Sequence, residues 1–354
     1  MPLSEWLHYL RENLFKAQDD FFEFPYLSNN PGLMVDSFSS LSIASHNKSA
    51  QIISSENTYF KGEQHYFEIE DGLWLMVTDF NFRKNILCKA VYDTAIVSDY
   101  YFLSFSVFKY QFPVNDDFTE FASVISTTCT FYKPGTPVNT FFYEGTEGKV
   151  FNIAFTRKWA LAQLYFKMSD DADLARTYLN GETGFLNWLD IVPDAENLAK
   201  KMWNYIKEKS DKVEESPYLG ITVKKIINDF FESALFKKRI VGNTRLLNPD
   251  YASIAKAEKL ILMNLRTPFL GVDAISKSVH VCSTKLKIIF KSVFGFSMLQ
   301  YHKEKNILLA LQLIKNSNMQ IRNIALLTGY ESASKFTAAF KKRFGFLPSE
   351  KRNG

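Results

Sequence analysis

Cysteine is scarce in this chain, histidine is rarely placed where it would serve chemistry, and long apolar runs are missing altogether. The three thiols, Cys88, Cys129 and Cys282, are odd in number and far apart. That excludes a disulfide framework and suits a reducing cytoplasm. The five histidines, His8, His46, His65, His280 and His302, share no metal-ligand spacing with cysteine or carboxylate. The chain also lacks a glycine loop that would cradle phosphates and a nucleophile elbow. The expectation is a protein that is not an enzyme and holds no metal and no cofactor. No apolar stretch approaches the roughly 20 residues a bilayer crossing needs. Met1 to Asp20, with Glu5, Arg11, Glu12 and Lys16, reads as an amphipathic helix and not as a secretory leader. A cytoplasmic protein with no membrane partner is therefore expected.

What is present divides in two. At 354 residues the chain exceeds what one core usually supports, which predicts at least two domains. The net charge of +4 conceals an asymmetry. Residues 251–354 hold 17 Lys+Arg against 5 Asp+Glu, a balance of +12, and the remaining 250 hold 25 against 33, a balance of −8. A basic segment joined to an acidic one fits a nucleic-acid binder attached to something else, because neutralised phosphates supply most non-specific affinity. Charge alone fits a solvated lysine surface equally well, so pattern must decide.

From Gln51 to Asn152, β-branched and aromatic runs alternate with turn chemistry at Asp71-Gly72, Asn115-Asp116-Asp117, Pro134-Gly135 and Gly145 to Gly148. A small antiparallel sheet, sandwich or barrel is expected. From Thr156 to Ile240 the period becomes helical: Leu161, Leu164, Tyr165 and Met168, then Val223, Ile226, Ile227, Phe230 and Phe231. Another amphipathic helix is read between Asn197 and Lys209. Arg239 to Pro249, with Gly242 and Asn243, is the best linker.

The strongest signal is a repeat. Phe290-Lys291-Ser292-Val293-Phe294-Gly295-Phe296 recurs fifty positions on as Phe340-Lys341-Lys342-Arg343-Phe344-Gly345-Phe346, with Lys285 matching Lys335 and Cys282 matching Ser332. Each copy follows a short apolar helix, Val272 to Val279 and Ile321 to Leu327, and a tight connection. Each unit thus reads as helix, turn, helix, and such a second helix shows one face to a core and the other to the major groove. Leu286, Phe290, Val293 and Phe294 share one face of the first copy, and Thr284, Lys287, Ile288 and Lys291 the other. In the second copy Phe336, Phe340 and Phe344 face inward, and Ser334, Lys335, Ala338 and Lys341 outward. Cys282 and Ser332 stand at N-cap positions, where serine is the better residue and where phosphate is also favoured. Leu299 to Asn316 reads as a connecting helix, with Ile307, Leu308, Ala310, Leu311 and Ile314 available for packing on both units.

Residues from about Ser253 to Arg352 resemble the DNA-binding domain of the AraC/XylS family of bacterial transcription regulators. The resemblance is carried by Ile324-Ala325-x-x-x-Gly329-Tyr330-x-Ser332-x-Ser334-x-Phe336-x-x-Ala339-Phe340-Lys341-x-x-Phe344-Gly345-x-x-Pro348-Ser349-Glu350. It implies an α+β chain: a β-rich effector or dimerisation domain, cupin-like or sandwich, with following helices, then an all-α domain of two helix-turn-helix units joined by a linker helix. The expected boundaries are 1–155 for the β-rich domain, 156–240 for a helical dimerisation segment, 241–250 for the linker and 251–354 for the DNA-binding domain. The implied function is an effector-responsive, sequence-specific regulator, more often an activator, with operator DNA, RNA polymerase, a small-molecule effector and a second copy as partners. Use of the N-terminal domain for dimerisation only is the alternative. Thr284, Lys285, Lys287, Ile288, Ser334, Lys335 and Ala338 are the expected base readers. Cys282, Lys291, Ser332, Lys341, Lys342 and Arg343 are the expected phosphate contacts. The family commonly has arginine at the position of Ala338 and a basic or polar residue at that of Ile288, so readout is expected to lean on Thr284, Lys287 and Lys335, with Ala338 or Ile288 touching a thymine methyl. Asn306 and Ser276 also depart from the pattern and read as packing or local hydrogen-bond variants. The N-terminal candidates for an effector are Trp74, Tyr100 and Phe141.

Overall fold

The computed structural model describes residues 3–18, 20–113, 121–163, 176, 179–180, 185–189, 195–208, 217–232 and 248–352. They fall into two compact units, residues 1–108 with 127–245, and residues 109–126 with 246–354.

The first unit opens with α1 (Leu3–Asn13), shorter than the expected twenty-residue helix: Phe15 adopts a left-handed φ of 58°, and β1 (Ala17–Gln18) follows. Next come β2 (Phe21–Leu27), α2 (Pro31–Ser39), β3 (Ser45–Asn47), β4 (Ile52–Glu56), β5 (Phe60–Glu70), β6 (Leu73–Phe82), β7 (Ile86–Val91), β8 (Tyr100–Pro113), β9 (Phe121–Tyr132), β10 (Asn139–Phe142) and β11 (Glu147–Thr156). The β structure therefore begins at Ala17, well before its expected start at Gln51. A four-stranded sheet has the order β1-β2-β7-β10, with β2 and β7 parallel. An eight-stranded sheet runs β12-β9-β8-β11-β6-β5-β4-β3, where β12 is Phe185–Leu189.

The larger sheet is covered on both faces along Leu73–Val77 of β6 and Val150–Phe155 of β11, which is why those stretches are nearly continuous apolar runs. Leu73, Leu75, Val77, Phe151, Ile153 and Phe155 join a cluster with α3 (Arg157–Gln163), α4 (Ala195–Glu208) and α5 (Pro217–Phe231). Their alternates, Trp74, Met76 and Ala154, point to the opposite face, where Tyr26 and Ala90 of the smaller sheet and Met34 and Val35 of α2 complete a second cluster. The helices dock by spacing: Ala199, Met202 and Ile206 on α4, and Leu219, Val223, Ile226, Ile227 and Phe230 on α5, are all buried. The β5–β6 turn requires Gly72, whose φ is 80° and where an added Cβ would sit 2.7 Å from Thr156 Oγ1.

The segment read as helical also contains β12, which pairs antiparallel with β9, Trp188 opposite Cys129. Phe-Leu-Asn-Trp-Leu is too short for its period to separate strand from helix, and pairing at the sheet edge decides. Residues 164–168 of the expected helical period, and 241–247 of the expected linker, lie outside the described residues.

The second unit is helical beyond residue 248: α6 (Asn248–Met263), α7 (Val272–Val279), α8 (Ser283–Phe294), α9 (Met298–Asn316), α10 (Ile321–Leu327), α11 (Ala333–Phe344) and α12 (Pro348–Arg352). The bounds of α7 and α10 coincide with those read from the sequence. A capping box starts α9: Ser297 Oγ accepts from Gln300 N, and Gln300 Oε1 accepts from Ser297 N at 3.0 Å. Buried on α9 are Ile307, Leu309, Ala310, Leu313 and Ile314, while the expected Leu308 and Leu311 are half-buried. The helix is enclosed over more of its circumference than a single stripe, because α6, α8, α10 and α12 all pack on it. Enclosure traps polar groups: Tyr301 donates its hydroxyl to the Glu258 carboxylate, and the buried Lys305 ammonium lies 5.1 Å from the centre of the Tyr301 ring. Burial raises the Glu258 pKa against the opposing effects of Tyr301 and Lys305. Asn306 is buried on the same helix, its Nδ2 3.3 Å from His302 Nε2.

Candidate nucleic-acid interface

The two helix-turn-helix units share one construction, offset by fifty residues. Both second helices are twelve residues long. They begin after residues 282 and 332 and end at Gly295 and Gly345, whose left-handed φ values of 72° and 83° close the last turn. The glycines are needed because that backbone region is strained for a side chain with a Cβ. Phe290 and Phe340 are each wholly buried at the same register. Phe290 meets Phe294 at 4.5 Å and Tyr301 at 5.4 Å between ring centres, and Phe340 meets Phe344 at 4.6 Å and Phe346 at 5.8 Å.

With those faces turned inward, the opposite faces are presented to solvent. On α8 the exposed residues include Thr284, Lys285, Lys287, Ile288 and Lys291, and on α11 Ser334, Lys335, Ala338, Lys341, Lys342 and Arg343. Helical spacing puts these residues on one surface of each helix except Arg343, which lies half a turn round from Ser334. The two N-caps differ. Ser332 Oγ accepts from Lys335 N at 3.2 Å, whereas Cys282 makes no side-chain cap and is exposed. The start of α8 is tethered instead by Ser283, which donates to Asp273 Oδ1 at 2.7 Å. Ser276 donates to the Val281 carbonyl at 2.6 Å across the first turn, the local bond its sequence position suggested.

Two carboxylates complicate the second face. Glu331 pairs with Lys335, whose ammonium holds its carboxyl below the usual range. Glu304 accepts from Arg343 Nε at 2.6 Å. The first pair was legible as an i, i+4 spacing. The second spans 39 residues and left no local signal. The first is a largely exposed pair and worth little, whereas in the second the Glu304 side chain is only 14% exposed and holds Arg343 against α9. Among the described residues no carboxylate pairs with Lys287, Lys291, Lys341 or Lys342.

In the first unit, Trp74 and Tyr100 pack half-buried against the cluster between the sheets. Phe141 does not join them. Its neighbour Phe142 enters an inter-sheet cluster with Phe80 and Phe82, so Phe141 alternates to the other face, edge-on to Phe21 at 5.0 Å. Among the described residues, no group of three His, Cys, Asp or Glu is placed to hold a metal ion, and no helix is long and apolar enough to cross a membrane.

Comparison with known proteins points to the same region. Residues 275–354 match a family profile described as a helix-turn-helix domain. The HTH-type transcriptional regulator ExsA of Pseudomonas aeruginosa is 44% identical over 71 residues, 20% of this chain and 26% of that protein. The virulence regulon transcriptional activator VirF of Yersinia enterocolitica is 41% identical over 69 residues, again 20% and 26%. The chain thus spans about a quarter of the length of these curated relatives. A solved transcriptional regulator from Chromobacterium violaceum, with an AraC-type DNA-binding domain, is 27% identical, with a TM-score of 0.28, over 29% of this chain and 91% of that one.

Proposed function

We propose, on the premise that residues 275–354 match a helix-turn-helix domain, that this domain is of the AraC type and that the protein is a sequence-specific DNA-binding transcription regulator that inserts α8 and α11 into successive major grooves. The carrying observation is the fifty-residue equivalence of the two helices: the same length, cap position, buried phenylalanine and closing glycine, with lysines on both exposed faces. A major groove admits a helix of this kind, and two such helices about 34 Å apart would meet one face of the duplex. Thr284, Lys285, Lys287, Ile288, Ser334, Lys335 and Ala338 read bases. Lys291, Lys341, Lys342 and, once released from Glu304, Arg343 hold phosphates, as do the N-terminal turns at Cys282 and Ser332.

The regulatory reading is an effector-responsive activator working in the cytoplasm as a homodimer alongside RNA polymerase. The Yersinia relative, itself a transcriptional activator, supports activation. The adjoining aromatics Trp74 and Tyr100, half-buried against the inter-sheet cluster, support a ligand-responsive first unit. Electrophoretic retention of the full chain on duplex DNA tests the core of the proposal. Affinity should fall steeply with salt, log K dropping with log salt by about 0.9 per phosphate neutralised. Absence of retention at about 50 mM salt would refute the proposal. All five tryptophans lie before residue 204, so their fluorescence reports the first unit. A change on titrating metabolites supports an effector, and silence across them favours dimerisation alone.

A further inference from the structure

Ile288 is out of place by ordinary sorting. The rest of α8 divides into a buried apolar face and a polar or basic one, yet Ile288 is 56% exposed, with Lys287 before it and Thr284 and Lys291 one turn to either side. Its neighbour Ile289 is 3% exposed and belongs to the core, so the exposure is not a frayed helix end. The equivalent residue in the other unit is also apolar and exposed: Ile288 and Ala338 are each the sixth residue of their helix. The position therefore recurs at the centre of both candidate base-reading faces without a hydrogen-bonding group.

In the major groove three of the four bases present only donors and acceptors at their edges, and thymine alone adds a methyl group. A polar base edge opposite Ile288 would lose water and gain no partner, which costs free energy. A thymine methyl in the same place removes apolar surface from water on both sides.

We propose that the operator presents a thymine methyl to Ile288 and a second to Ala338, so that an A·T pair occupies the same register in both half-sites, one turn of DNA apart. The inference rests on the reading of α8 and α11 as groove-binding helices. Ile288 carries the stronger preference, because it covers more of the methyl than the single Cβ of Ala338. The flanking Lys287 supplies the polar partner, a guanine O6/N7 edge beside the first thymine.

The test uses the full chain and a pool of random-sequence duplexes, with retained DNA amplified through successive rounds and sequenced. The expected motif has thymine at two positions about 10–10.5 base pairs apart. Each of those thymines is then replaced by deoxyuridine, which removes only the methyl. Wild-type protein should lose about fourfold in affinity at the position facing Ile288, the worth of one buried methyl, and less at the other. Ile288→Ala, an exposed substitution that leaves the core untouched, should bind the thymine and deoxyuridine duplexes within about twofold of each other, most of the methyl's burial being gone. Equal wild-type binding to both duplexes would overturn the methyl contact while leaving sequence-specific DNA binding in place. Undiminished sensitivity to deoxyuridine in Ile288→Ala would overturn it too, since another residue would then be reading the methyl. A pool that enriches no sequence would overturn the proposed function along with it.

Discussion

The unequal caps of the two reading helices make a reciprocal prediction. Ser332 Oγ accepts from Lys335 N at 3.2 Å, and Cys282, at the same register of the first unit, caps nothing. A thiol is a weak acceptor, whereas a hydroxyl at an N-cap satisfies one of the four orphan amides and is worth about 1 kcal/mol over alanine. Cys282 has φ −61° and ψ 145°, close to the −65° and 155° of Ser297, whose hydroxyl caps α9, so a capping geometry is available to serine at residue 282. Ser332→Ala should therefore destabilise α11 by about 1 kcal/mol, and Cys282→Ser should stabilise α8 by a similar or somewhat smaller amount. In amide hydrogen exchange read by mass spectrometry, about 1 kcal/mol is roughly a fivefold change in protection. Peptides covering 333–344 should lose that protection in Ser332→Ala, and peptides covering 283–294 should gain it in Cys282→Ser, each leaving the other helix unchanged. Reduced or unaltered protection of α8 in Cys282→Ser would refute the argument, because the missing cap would then not be what separates the two helices.

Other perturbations separate reading from anchoring. Lys287→Ala and Lys335→Ala should each weaken binding to a selected duplex by about 1–3 kcal/mol and a scrambled one far less; equal losses on both in a mobility shift would assign them to phosphates. Lys291→Ala and Lys341→Ala should lower affinity uniformly and reduce the salt slope by about 1 each. Phe340→Ala empties a fully buried site against Phe336, Phe344 and Phe346 and should cost about 3–5 kcal/mol, read as loss of protection over 333–344. His65 is 1% exposed, and burial lowers its pKa despite the opposing Glu63 carboxylate at 2.5 Å. The unfolded chain then takes up the proton first, so stability of the first unit should fall as pH drops from about 6.5 toward the lowered folded value. Urea midpoints followed by tryptophan fluorescence, with Trp203 5.4 Å from the His65 ring, should show that decline in wild type and a smaller one in His65→Gln. Parallel declines would place its cause elsewhere.

What could be read in the sequence was set by interactions within a turn or two of helix. Val272–Val279 and Ile321–Leu327 were bounded by their apolar period and their turns, and the inward and outward faces of α8 and α11 followed from 3.6-residue spacing. Gly295 and Gly345, read only as part of the repeat, prove to close both helices in a left-handed φ that glycine accepts without strain. The resemblance added what such a domain binds. What the sequence left open depended on partners distant along the chain. Phe185–Leu189 became a strand because β9 offered an edge, and Arg343 found Glu304 from 39 residues away. Phe141 parted from Trp74 and Tyr100 because the pleat sent Phe142, not Phe141, into the space between the sheets. Local spacing carries no record of which distant group arrives alongside. Those contacts were decided only when the sheets and helices packed, by which surfaces had apolar area left to bury and which charges had to be matched there.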